Sequence, residues 1–121
     1  MQERKILDET TLKEITSEGE IVEYCNYLPR SKSGIRSWEV KIKSNTGIRR
    51  VVVIRDSGIS VDKYEVAVKP FKERVERNTE ICRLYNEEHL SQVFLANLFN
   101  VTQPSISMII KSARNAVKHK D

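Results

Sequence analysis

With 121 residues, 39% of them hydrophobic and 31% charged, the chain suits one soluble domain or two very small ones with a modest core. No run approaches the roughly 18 apolar residues of a membrane helix. The N-terminal MQERKILDETTLKEI lacks the apolar region and cleavage site of a secretory signal, and Cys25 and Cys82 are too far apart for a zinc site or a disulfide framework. A cytoplasmic protein with reduced thiols, no membrane association and a net charge of +4 is expected.

Charge is segregated along the chain. Residues 1–28 carry seven acids (Glu3, Asp8, Glu9, Glu14, Glu18, Glu20, Glu23) against Arg4, Lys5 and Lys13. In residues 29–55, Arg30, Lys32, Arg36, Lys41, Lys43, Arg49, Arg50 and Arg55 face only Glu39. Residues 89–120 contain no acid, but do contain Lys111, Arg114, Lys118 and Lys120. Segregation of this kind can attract a polyanion.

The first half reads mainly as strands. Only the first few residues look loosely tethered; Leu12–Ile15 is a candidate short helix and Ile21–Leu28 a candidate first strand. Pro29 to Gly34, with Ser31 and Ser33, has the character of an exposed loop. Trp38, Val40 and Ile42 alternate with Glu39, Lys41 and Lys43, the period of a half-buried strand. Ser44-Asn45-Thr46-Gly47 supplies turn chemistry, and Val51 to Ile54, rich in β-branched residues, reads as the partner strand. After a second turn at Asp56-Ser57-Gly58, Tyr64, Val66 and Val68 alternate again. The simplest assembly is an antiparallel meander over residues 1–69. A small sheet needs its apolar face covered, so this half is the candidate for dimerisation.

From Pro70 the period becomes helical. Phe71, Val75, Ile81, Cys82, Leu84 and Tyr85 recur at helical spacing among charges from Lys72 to Glu88. Pro70 stands just ahead, where a proline suits a helix start. His89-Leu90-Ser91 breaks the pattern. Ser91 can cap a helix over Gln92–Phe99, Asn100 supplies a turn, and Thr102 can cap a third helix with Pro104 in its first turn. Ile106, Ile109, Ile110, Ala113 and Val117 form an apolar stripe on that helix. The fold class is therefore α+β: a β-meander over 1–69, then a three-helix helix-turn-helix bundle over 70–121.

The informative stretch runs from Gln92 to Lys111. Two helices crossing steeply need a small residue between them, which Ala96 provides, and a turn residue tolerant of the left-handed region, which Asn100 provides less easily than glycine. Leu95, Phe99, Val101, Ile106 and Ile109 can close a core beneath them. On Leu95-Ala96, Val101, Thr102-Gln103 and Ile106-Ser107, the stretch resembles the helix-turn-helix of phage repressors, Cro-type regulators and the DNA-binding ends of resolvases. The resemblance covers about 20 residues, or roughly 40 with a supporting helix over Glu76–Tyr85. Asn100 departs from it, because that family usually has glycine there. The first half resembles no family.

What the resemblance implies is double-stranded DNA binding through the last helix, with Gln92, Thr102, Gln103, Pro104, Ser105, Ser107, Met108, Lys111 and Arg114 at the interface. Gln103 can pair bidentately with adenine. Gln92 can brace Gln103 or bond a phosphate; phage repressors often have glutamines at these two places. Ser105 and Ser107 suit phosphates or bases, and Met108 suits a thymine methyl. Thr102, Lys111 and Arg114 suit the backbone. The basic stretch Arg30–Arg55 has two readings, a second phosphate contact or a solvated strand face and loop, and the second is preferred.

No Cys–His pair, Ser–His–Asp arrangement or metal-ligand spacing occurs: His89 sits at a helix end and His119 in the tail, and the glycines form no phosphate loop. No enzymatic activity, cofactor or metal is expected. A homodimeric transcriptional repressor of phage or plasmid type, on a palindromic site, is the first reading. An accessory factor in plasmid partition, conjugation or recombination, and a protein-binding adaptor or antitoxin, are the others.

Overall fold

The acidic N-terminal segment is organised by Asp8 in the computed structural model, which describes residues 7–30 and 32–118. The Asp8 carboxylate accepts a hydrogen bond from the Thr11 N–H at 2.8 Å and caps helix α1 (Glu9–Ile15), so the helix begins before Leu12. Four strands follow: β1 (Ile21–Leu28), β2 (Arg36–Lys43), β3 (Arg49–Asp56) and β4 (Val61–Val66). Each pairs antiparallel with the next, giving the sheet order β1-β2-β3-β4 of a meander. At the β2–β3 turn Gly47 takes φ +89°, a conformation glycine reaches without a Cβ clash.

One face of the sheet is the core of this unit. Trp38, Val40, Ile42, Val52 and Ile54 are buried with Leu7 and Ile15, and Leu12, Val22 and Tyr27 pack against them. Each such side chain contributes about 1.5–3 kcal/mol on burial. The Tyr27 and Trp38 rings lie 5.2 Å apart, and the Arg36 guanidinium sits 4.9 Å over Trp38 while bonding Asp56 at 3.0 Å. The opposite face of β2 is not solvated as its alternation suggested. Glu39 and Lys41 are both buried; Asn26 donates to Glu39 at 2.8 Å and Lys41 pairs with Glu23 at 3.1 Å.

The expected last strand is displaced. It runs from Val61 to Val66, and Val68 lies outside it and exposed. The chain there is committed elsewhere: the Lys69 N–H donates to Glu80 Oε2 at 2.6 Å. The structure accordingly divides into two compact units, Met1–Ala67 and Val68–Asp121, two residues before the expected join at Lys69–Pro70.

The second unit holds α2 (Arg74–Asn86), α3 (Gln92–Phe99) and α4 (Gln103–Lys118). Phe71 precedes α2 and packs on Phe99, ring centroids 5.7 Å apart, and Val75 is 73% exposed; neither joins the α2 core stripe read from spacing. Ile81 and Leu84 do, with Leu90, Phe94, Leu95, Ile106 and Ile110. Leu90 lies in the connection that breaks the helical period, yet it is 1% exposed. It precedes the cap Ser91 and stands five positions before the first buried leucine of α3, Leu95, at N4; Val101 and Ile106 repeat the arrangement around Thr102. These are the positions of a hydrophobic staple, which fixes the angle at which the chain enters a helix. Within α2, burial alone would raise the Glu80 carboxyl, but Arg83, at 2.6 and 2.7 Å, and the Lys69 N–H outweigh it and hold its pKa low.

Candidate nucleic-acid interface

The geometry of α3 and α4 is set by three residues between them. Asn100 adopts φ +55°, ψ +46°. Its N–H bonds the Asn97 carbonyl at 3.3 Å, and the Val101 N–H reaches back to the Ala96 carbonyl at 3.0 Å. This pair of bonds is a Schellman motif, which satisfies the carbonyls left open at a helix end. Thr102 then starts α4, its Oγ1 accepting from the Ser105 N–H at 3.2 Å, as Ser91 Oγ accepts from Phe94 at the start of α3. Across this turn the helix direction changes by 108°. That lies within the range of helix-turn-helix units, which cross at about 90–120°. Ala96, half-buried, stands at the turn that makes the angle.

With about 3.6 residues per turn, Gln103, Ser107, Lys111 and Arg114 fall within one quadrant of α4. Gln103, Lys111 and Arg114 are exposed and Ser107 is half-buried. Ile106 and Ile110 face the interior on the adjoining side. The ridge therefore combines two polar readers with two cations. No acid occurs anywhere in α3 or α4 to repel a phosphate. Pro104, exposed, lies at its edge.

Other expected contacts are placed differently. Ser105 is half-buried on the far side of α4 from the ridge, with its hydroxyl 2.8 Å from Thr102 Oγ1. Its hydroxyl serves the cap. Thr102 is exposed beside the first turn, with the helix N-terminus that favours negative charge. Met108 is 68% exposed but lies roughly 100° around α4 from the centre of the ridge, on the side facing α2. Gln92 is half-buried at the first position of α3, and no hydrogen bond joins it to Gln103. The Val117 and Lys118 side chains, His119, Lys120 and Ser31 lie outside the described residues.

Several cations of the basic stretch Arg30–Arg55 are taken up inside their own unit. Arg36 pairs with Asp56, Lys41 and Arg49 with Glu23, and Arg50 with Glu20 and Glu65. Arg50 also donates to the Ile15 carbonyl. Arg50 holds the Glu20 carboxyl near 2, and Arg49 with Lys41 does the same for Glu23. Glu20 and Glu23 thus fold back on the cations of β2 and β3, while Asp8 caps α1 and Glu14 pairs with Lys63 of β4. Charges segregated in sequence are not segregated on this part of the surface.

Among the described residues no group of three or more His, Cys, Asp or Glu could hold a metal ion, and no single helix is long and apolar enough to cross a membrane. No protein-family model matches the chain, and no curated protein or solved structure matches it.

Proposed function

We propose that this protein binds double-stranded DNA in a sequence-dependent way, with α4 in the major groove, and acts in the cytoplasm as a homodimeric transcriptional repressor of phage or plasmid type on a palindromic site. The observation that carries the reading is the acid-free ridge of Gln103, Ser107, Lys111 and Arg114 on a helix set at 108° to its neighbour. Its geometry matches the task. A helix fits the major groove, and its first turns meet base edges. Gln103 offers a carbonyl and an amide that complement adenine, Ser107 a short donor or acceptor, and Lys111 and Arg114 charge for phosphates. Met108 and Ser105 are not needed for it.

One such helix reads few base pairs, so two copies reading half-sites about one helical turn apart are the expected unit. Selection of bound duplexes from a random pool tests the reading. Enrichment of a symmetric sequence supports it. A pool that stays random at low salt, where phosphate attraction is greatest, contradicts it.

A further inference from the structure

We propose that the apolar groove between α2 and α4 is the surface through which two copies of this chain pair, so that the dimer axis lies on the helical unit and not on the sheet. This deepens the DNA reading and rests on it only for its consequence at the operator.

The groove has a volume of about 560 Å³ and no charged residue in its lining. Asn78, Thr79 and Cys82 form its α2 wall, and Met108, Ile109, Ser112 and Ala113 its α4 wall. Two of its polar hydrogens are already used. The Thr79 hydroxyl donates to the Val75 carbonyl at 3.0 Å, and the Cys82 thiol to the Ile109 carbonyl at 3.9 Å. What remains towards solvent is mostly hydrocarbon and sulfur, with the Asn78 amide and the Ser112 hydroxyl among them. Beside the groove project Val75, 73% exposed, and Met108, 68% exposed, the two most exposed large apolar side chains among the described residues of this unit. Contiguous exposed apolar surface of this kind marks an interaction site.

Self-pairing is favoured because the surface carries both halves of a match, two projecting side chains and a slot to receive them. In a two-fold interface, residue i of one copy meets residue j of the other and the reverse also holds. The charges agree with that arrangement. Exposed Glu76 stands one turn from Thr79 on the α2 side, and exposed Lys111 one turn from Met108 on the α4 side. Laying α2 of one copy against α4 of the other brings Glu76 to Lys111 twice. Laying α4 on α4 would oppose cations with no acid between them. Gln103, Ser107 and Arg114 point away from the groove and stay open in the pair.

Sedimentation equilibrium of the full chain without DNA tests this. The unsubstituted protein is expected to be a dimer at micromolar concentration. Met108→Glu and Val75→Glu, at exposed positions where circular dichroism should report an unchanged fold, should each raise the dimer Kd at least about tenfold, because a charge must then be desolvated. Glu76→Lys should also weaken pairing, and adding Lys111→Glu should restore it. A monomer, a dimer indifferent to both glutamates, or a charge exchange that fails to restore pairing overturns the proposal. A groove-dependent dimer that selects no duplex would sink the DNA reading alone. A monomer that selects one would sink the pairing alone.

Discussion

Asn100 is the hinge on which α4 is aimed, and its backbone makes a quantitative demand. Its φ of +55° and ψ of +46° lie in the left-handed region. An ordinary L-residue there costs about 1–2 kcal/mol, from the approach of Cβ to the next carbonyl oxygen. Asparagine is among the few side chains that visit the region routinely, so Asn100→Ala should lose about 1 kcal/mol. Asn100→Gly removes the Cβ but loosens the unfolded chain by about 0.5–1 kcal/mol, so its stability should stay within about half a kcal/mol of the parent. The bonds from Asn100 to Asn97 and from Val101 to Ala96 use backbone atoms and survive both changes. Thermal unfolding followed by far-ultraviolet circular dichroism should place the Ala midpoint roughly 4–8 °C below the parent. Equal midpoints for Ala and Gly would mean that the turn is not left-handed and that α4 points elsewhere.

Gln103→Ala should cost about 1–3 kcal/mol on a selected site and relax one base preference, whereas Arg114→Ala, outside the proposed pairing surface, should weaken all sequences alike and lower the salt slope by about one, both read by titrating labelled duplexes at several salt concentrations. Glu80→Ala strands Arg83 and the Lys69 N–H, so urea unfolding should report a loss of about 2–3 kcal/mol, with Glu80→Gln losing less. Glu20 and Glu23 have folded-state pKa values near 2, below the ordinary 4.5, so their ion pairs stabilise fully above about 4.5 and lose that effect as pH falls towards 2. Urea midpoints should therefore fall across that window, less steeply in Glu20→Gln; equal slopes would mean that Arg50 does not hold Glu20.

Much of this architecture could be read locally. Ser91 and Thr102 cap the helices assigned to them because capping is a contact between residues three apart. The meander was legible for a similar reason: Trp38, Val40 and Ile42 alternate, and turn residues separate the strands. Long-range partners were not legible. Lys41 looked outward until Glu23 was brought beside it, and Arg50 looked free until Glu20 and Glu65 converged on it. Val75 matched a helical apolar spacing, but α2 turns it to solvent, and Leu90 broke the spacing yet is buried. Of the candidate interface, Gln103, Ser107, Lys111 and Arg114 share a ridge. Ser105 does not, because α4 begins at Gln103 and its third residue faces the cap. Met108 is on the shoulder nearest α2, a distinction that needs the neighbouring helix as well as the period of α4.

The most direct measurement is a nuclear magnetic resonance titration of isotope-labelled protein with the duplex that selection recovers. The largest amide and side-chain shifts are expected at Gln103, Ser107, Lys111 and Arg114, with small ones across β2 and β3, where ion pairs already occupy Arg36, Lys41, Arg49 and Arg50. Shifts centred on the strands, with the α4 ridge unmoved at saturation, would contradict the account.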